Sequence, residues 1–189
     1  MAVAAVYKMR GKYNMIQVYY GGGKGKTTAA IGGAVRAAGA GRKVLFVQFM
    51  KGNNTSELAV LQQIENVELK RNDRSFGFFE QMKEEDKEIL TGIHNELLEE
   101  AIAFVREQKE NAVPCFIVLD EMTYAYNFSL LRKERLLDFL KEADDTVEIV
   151  ITGRNPADVI TRQADYLSEI VCRRHPFERG VSAREGIEY

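Results

Sequence analysis

The sequence predicts an α/β fold, a mostly parallel sheet with helices on both faces, on three observations. Apolar strand-like runs alternate with helical patterns along the whole chain, the order in which helical crossovers join parallel strands. Two of those runs, "KVLFVQF" and "CFIVLDE", are almost unbroken Val, Ile, Leu and Phe, which suits strands covered on both faces. Glycines and lysines crowd between the first strand and the first helix, where backbone freedom and positive charge serve a phosphate.

Taken in order, "IQVYY" (16–20) is the first strand. The helix after it spans about 26–38 and stops at Gly39 and Gly41, a residue type suited to the left-handed turn that closes a helix. "KVLFVQF" (43–49) is a second strand, "SELAVLQQI" (56–64) a helix and "VELK" (67–70) a short strand. The polar and aromatic segment "RNDRSFGFF" (71–79) reads as a loop, and 83–109 as a long helix with a solvated, charge-laced face. "CFIVLDE" (115–121) is a buried strand ending in two acids. In "RKERLLDFLKEA" (132–143), Leu136, Leu137 and Leu140 fall on one helical face. "VEIVITGR" (147–154) is another strand, and Pro156 is placed for the first turn of the next helix. "YLSEIVCR" (166–173) is the last strand, before an irregular tail to Tyr189.

A chain of 189 residues without internal repeats suffices for one domain with a substantial core. Its expected division is a short N-terminal extension over 1–14 and a single domain over 15–189. The formal net charge of -2, with Lys and Arg spread along the chain, gives no basis for a nucleic-acid partner. Two cysteines alone cannot build a disulfide framework or a four-ligand zinc site, and His94 and His175 add too little for a transition-metal cage. Cys115 and Cys172 both lie in apolar runs and are expected as small core residues. The first fifteen residues hold no apolar stretch of signal length. No stretch approaches the roughly 20 apolar residues that span a bilayer, so a cytoplasmic protein without a membrane partner is expected.

"YYGGGKGKTTAA" (19–30) departs from the common phosphate-loop pattern G-x-x-x-x-G-K-[ST]. Gly25, Lys26 and Thr27 supply its end, but Tyr20 stands at the leading glycine. Gly21, Gly22, Gly23 and Gly25 let the backbone turn and bring N–H groups to a ligand. Those amides and the helix N-terminus favour phosphate oxygens. Lys26 adds a charge for a terminal or bridging phosphate, and Thr27, paired with Thr28, offers a hydroxyl to Mg²⁺. A dinucleotide site fits poorly: Gly21, Gly23 and Lys26 do not complete G-x-G-x-x-G, and the second strand ends "QFMKG" rather than in an acid. Asp120 and Glu121, at the carboxyl end of "FIVLD", are placed to hold the metal directly or through water. The alternative is that one of them only caps the following segment. Together these features describe a P-loop (RecA-like) nucleotide-binding domain.

Four blocks then stand in a characteristic order: "GGGKGKTTAAIGGAVRAAGAGRKVLFVQFMKG", "VLDEMTYAYNFSLL", "VITGRNP" and "HPFERGVSAREGIEY". From about Met15 to the C-terminus the chain resembles the ATP:corrinoid adenosyltransferases named CobA, CobO or BtuR. The tyrosine-bearing segment after the acids and the ending from Gly180 to Tyr189 make the resemblance specific. That family's loop reads G-N-G-K-G-K-[ST] without a distant glycine, so Tyr20 is ordinary there. Gly22 stands where the family has Asn, which removes one side-chain contact.

The resemblance implies transfer of the 5′-deoxyadenosyl group of ATP to the cobalt of a reduced Co(I) corrinoid, with triphosphate leaving. It implies ATP and a corrinoid as substrates, Mg²⁺ (or Mn²⁺), a homodimer and, as a possible partner, a reduced flavoprotein that donates electrons. Lys26, with Lys24, Gly21, Gly22, Gly23, Gly25, Thr27 and Thr28, would hold the polyphosphate; Thr27, Asp120 and Glu121 would hold the metal. Arg36 matches a family arginine near the nucleotide, with a solvated surface arginine as its alternative, and Thr152 and Arg154 end a strand beside the site. Phe76 and Phe78 align with the Phe and Trp of a G-F-x-W segment that displaces the lower cobalt ligand, the alternative being that Phe76, Phe78 and Phe79 are core residues under a loop; this chain has no Trp. Tyr124 and Tyr126 border the corrinoid on the same analogy, with core packing as their alternative. Some members carry a longer N-terminal segment that covers a dimer partner's site, and with only 20 residues before Gly21 that cover is expected to be shortened or missing. An ATPase or kinase that breaks a phosphoanhydride bond, and a non-catalytic nucleotide or corrinoid carrier, are the alternatives to be separated by experiment.

Overall fold

A computed structural model describes residues 15–52 and 55–188. The expected extension over 1–14, and the N-terminal cover with it, lies outside the described residues. Six strands form one sheet: β1 (Met15–Tyr20), β2 (Lys43–Gln48), β3 (Val67–Arg71), β4 (Cys115–Asp120), β5 (Val147–Gly153) and β6 (Tyr166–Glu169). Their order is β3-β2-β4-β5-β1-β6, and every pairing is parallel. The helices are α1 (Lys26–Gly39), α2 (Glu57–Leu61), α3 (Glu84–Glu110), α4 (Met122–Asn127), α5 (Lys133–Glu142) and α6 (Asp158–Thr161). The expected α/β class is therefore the one the chain forms.

The unbroken apolar strands explain why the sheet is covered on both sides. In β4, Phe116 and Val118 join a core with Ala30, Ala34, Ala37 and Ala38 of α1. Cys115, Ile117 and Leu119, the alternate residues, join Leu97, Leu98, Ala101 and Ile102 of α3 and Leu136 and Leu140 of α5. Successive side chains point to opposite faces, so a strand needs apolar residues at every position when both faces are packed. The small alanines of α1 let that helix lie close to the sheet, which brings its first turn against the end of β1 and β4. On the other face, Leu90, Leu97, Leu98, Ala101 and Val105 form the buried stripe of α3.

Several boundaries differ from expectation. The helix over 56–64 shrinks to five residues because 62–64 turn the chain into β3, with the Val67 N–H donating to the Ile64 carbonyl. Pro156 lies before the cap of α6, Ala157, rather than in its first turn, after Asn155 has turned the chain with φ 47°. The short helix α4 was not expected; in "MTYAYN" the Thr, Asn and two Tyr outnumber the helix-favouring Met and Ala, and four of its six residues are buried, so tertiary packing supplies its stability. The last strand ends at Glu169 rather than Arg173, because Ile170 leaves the sheet to bond the glycine loop. Cys172 is consequently exposed and not the core residue expected, while Cys115 is buried and its thiol is pushed up to about 11 by burial. Among the described residues no helix is long and apolar enough to cross a membrane.

Candidate active site at the glycine loop

The loop between β1 and α1 is held by the chain that follows β6. The Ile170 N–H donates to the Tyr20 carbonyl and the Gly23 N–H to the Ile170 carbonyl, each at 2.7 Å. Gly21 (φ 109°) and Gly25 (φ 117°) take left-handed conformations that glycine adopts freely. A Cβ at Gly23 would lie 2.6 Å from the Ile170 carbonyl oxygen, as would one at Gly21, so glycine is required at these two positions by close backbone approach. Gly23→Ala is expected to cost about 1–3 kcal/mol of stability through this overpacking, read as a lowered urea midpoint. An unchanged midpoint would show that the loop does not need this packing.

Helix α1 starts at Lys26 with no side-chain cap, leaving first-turn amides free for an anion. Lys26 is buried, and its Nζ donates to the Gly23 carbonyl at 2.8 Å. Burial lowers its pKa, against which the nearby carboxylate of Glu121 acts to raise it. Thr27, one position on, donates its hydroxyl to Asp120 Oδ1 at 2.8 Å.

Asp120 closes β4 and is fully buried. Its Oδ1 also accepts from the Thr152 hydroxyl at 2.7 Å, and its Oδ2 pairs with Lys51 Nζ at 2.8 Å. Both oxygens of that carboxylate are therefore engaged. Glu121 follows in a left-handed conformation (φ 60°), with its N–H donating to Thr152 Oγ1 at 2.9 Å. Its Oε2 is buried without a hydrogen-bond partner, a costly arrangement for a carboxylate. Burial first, and then the Asp120 charge, raise its pKa. The orphaned carboxylate oxygen and the Thr27 hydroxyl are hard oxygen donors, the kind Mg²⁺ takes.

Lys51 was missed in the sequence, although "QFMKG" puts it beyond the carboxyl end of β2, where ligands sit in open parallel sheets. Its backbone belongs to a firmly determined turn. Met50 has φ 60°, and its N–H donates to His94 Nε2 at 3.1 Å. His94 Nδ1 lies 3.2 Å from the Leu130 carbonyl, so the ring is neutral with its proton on Nδ1. Burial lowers the His94 pKa to about 4, the Leu130 carbonyl acting the other way. A histidine depressed in the folded state contributes stability above its unfolded pKa of 6.5, and that stability is lost as pH falls toward 4. Urea unfolding between pH 7 and 4 should show a loss about 3 kcal/mol larger in the wild type than in His94→Gln. Equal losses would mean the imidazole does not stay neutral in the fold.

A cavity of about 1030 Å³ opens beside the glycine loop, and Lys26, Asp120 and Glu121 are not among the described residues that line it. It is lined by Lys24, Thr27 and Thr28 on one side, by Met50 and Lys51 on another, and by Phe78. Gly186, Ile187 and Glu188 of the C-terminal tail complete it. The volume is at the upper end of small-molecule sites. A smaller cavity of about 580 Å³ at the β3 edge contains none of the glycine-loop residues.

The aromatic candidates separate. Phe78 is 76% exposed and lines the large cavity. Phe76 instead packs on the Met82, Leu90 and Leu130 cluster under the Arg74 guanidinium. Phe79 stacks on Phe128 at 4.1 Å. Tyr126 is buried and Tyr124 half-buried beside Phe128, and neither lines the cavity. Thr152 is brought to Asp120, and Arg154 lies close enough to act on both Lys26 and Glu121. Arg36 is exposed ten residues along α1 from Lys26, roughly 15 Å by helical rise, and does not line the cavity.

A family model described as ATP:corrinoid adenosyltransferase BtuR/CobO/CobP matches residues 12–189. A protein named corrinoid adenosyltransferase from Escherichia coli strain K12 is 34% identical over 98% of this chain and 91% of its own length. Corrinoid adenosyltransferase CobA of Salmonella typhimurium is 31% identical over 98% of this chain and 91% of its own. A third, from Pseudomonas aeruginosa, is 27% identical over 97% and 88%.

Proposed function

This chain belongs to the ATP:corrinoid adenosyltransferase family BtuR/CobO/CobP, and from that membership we propose how its own residues carry the transfer of a 5′-deoxyadenosyl group from ATP to a Co(I) corrinoid. The observation that carries the proposal is the shared cavity: Lys24 of the glycine loop, Thr27 and Thr28 of the first turn of α1 and the exposed Phe78 line one space. A triphosphate on the loop and a flat apolar ring on Phe78 then face each other across it.

In the transfer, an electron pair on Co(I) forms the bond to the ribose C5′. The C5′–O bond breaks, its electrons leaving with inorganic triphosphate. The nucleophile needs no deprotonation, so no general base is required. What the site must supply is stabilisation of negative charge as it grows on the leaving triphosphate. The first-turn amides of α1, Lys26 and Lys24 are placed for that work. Lys26 lies mostly out of water, where its charge counts for more than at the surface. Thr27 and the unpartnered oxygen of Glu121 would hold Mg²⁺ (or Mn²⁺), with Asp120 orienting Thr27 through its hydrogen bond. The ion would supply further positive charge to the same oxygens. Phe78 would exclude water from the cobalt face, with less area than the family's Trp and no indole N–H. Phe76 would act behind it, through the packed cluster under the loop. Arg154 would add charge from the β5 side, and Arg36 would reach the nucleotide only from outside the cavity.

A homodimer, a reduced flavoprotein electron donor and a cytoplasmic setting complete the proposal on the strength of family membership. ATP, Mg²⁺ and chemically reduced corrinoid, mixed anaerobically with the protein, should give adenosylated corrinoid and triphosphate in equal amounts. ADP with unchanged corrinoid would indicate a phosphoanhydride-cleaving enzyme instead. Binding of both without turnover would indicate a carrier.

A further inference from the structure

We propose that Lys51 is a phosphate-binding residue of the nucleotide site, placed there by His94 through the main chain of the turn at Met50–Gly52. This deepens the proposed function and rests on ATP being the nucleotide bound at the glycine loop.

Lys51 lines the same cavity as Lys24, Thr27 and Thr28, and its side chain is 26% exposed. The ammonium now pairs with Asp120 Oδ2. Asp120 does not depend on that partner alone, because Thr27 and Thr152 both donate to its other oxygen. The ammonium can therefore turn toward a polyphosphate while two hydroxyls still hold Oδ1, with Oδ2 giving up its ion pair in exchange. A compact charge on a flexible four-carbon stem is suited to such an exchange. Lys26 is held on its own loop by the Gly23 carbonyl and is not among the described residues that line the cavity, whereas Lys24 is exposed, so Lys51 brings a second lysine to the lining, from the turn after β2.

The turn beneath Lys51 is built more firmly than a plain connection needs. Met50 is a non-glycine residue at φ 60°, a conformation that persists only where surroundings impose it. His94, buried in α3, accepts its N–H while held at the other ring nitrogen by Leu130, and the Phe49 ring meets the imidazole edge-on at 5.4 Å. The Asn72 side chain donates to the Lys51 carbonyl at 3.1 Å. Gly52 lies so close to the next segment that a Cβ there would fall 2.0 Å from the Arg74 carbonyl oxygen. Backbone strain held by a buried imidazole, an amide and a close contact, immediately beside a cation in the nucleotide cavity, points to positioning of that cation.

Calorimetric titration of the whole protein with ATP, with inorganic triphosphate and with adenosine, each with and without Mg²⁺, tests the assignment. Lys51→Met should weaken ATP and triphosphate by about ten- to a hundredfold, the scale of one charge-assisted contact, and leave adenosine unchanged. Lys51→Arg, which keeps the charge, should recover most of the affinity. Unchanged triphosphate binding in Lys51→Met would overturn the role of Lys51 while leaving the nucleotide site intact. Failure of the wild type to bind either ATP or triphosphate would instead remove the proposed function itself. His94→Gln, or His94→Asn should the first not fold, should weaken triphosphate binding in the wild-type background and add nothing in Lys51→Met. Equal weakening in both backgrounds would show that His94 supports the fold and not this lysine.

Discussion

Lys26→Ala is expected to lower adenosyl transfer by about a thousandfold or more, the upper range for removing one preorganised stabiliser of developing charge. The size follows from where the ammonium sits. It is buried against the Gly23 carbonyl at the mouth of α1, so its field is little screened and it is already in place when the triphosphate departs. Burial pulls its pKa down, and the Glu121 and Asp120 carboxylates oppose that pull. Stopped assays that measure triphosphate and adenosylated corrinoid together provide the check. A variant that retained a tenth of wild-type transfer would mean that the amides and other cations suffice, and that Lys26 is not the principal group.

Phe78→Ala should separate two forms of the substrate. With corrinoid supplied as Co(II) and a reductant, transfer is expected to fall about ten- to a hundredfold, the worth of one aromatic surface against an apolar ring. With corrinoid already reduced to Co(I), the loss should be several-fold smaller. Reduction is the step an axial ligand hinders, and in the proposed function the exposed ring of Phe78, which lines the cavity, keeps such a ligand off. Since Phe78 is 76% exposed, stability should move by no more than about 0.5 kcal/mol, so a fold defect cannot imitate the result. Equal activity losses on the two substrates would withdraw the aromatic from the reduction step.

The strands were legible because each carries its own record. A buried parallel strand must be apolar at nearly every position, and "KVLFVQF", "CFIVLDE" and "VEIVITGR" say so without reference to anything distant. The glycine loop was legible for a similar reason: its spacing relates neighbours in the chain, and neighbours stay neighbours after folding. Asp120 and Glu121 could be paired with the loop because their strand end was recognisable. Elements defined by partners elsewhere were less readable. β6 stopped early because Ile170 bonds to Gly23, nearly 150 residues before it, and this contact also left Cys172 at the surface.

By itself, then, the sequence determined the α/β class, the strand–loop–helix built around the glycine run and the family to which the chain belongs, all of which rest on local order. Only the tertiary structure decided which residues share the cavity. It brought Lys51 and the C-terminal Gly186–Glu188 to the loop, turned Phe78 outward while packing Phe76 inward, and put His94 under the Met50 turn. It also distinguished the two acids, engaging both oxygens of Asp120 and leaving one of Glu121 unpartnered. The physical reason is that a side chain's partner, burial and charge environment are set by segments remote in the chain, which only packing brings within reach.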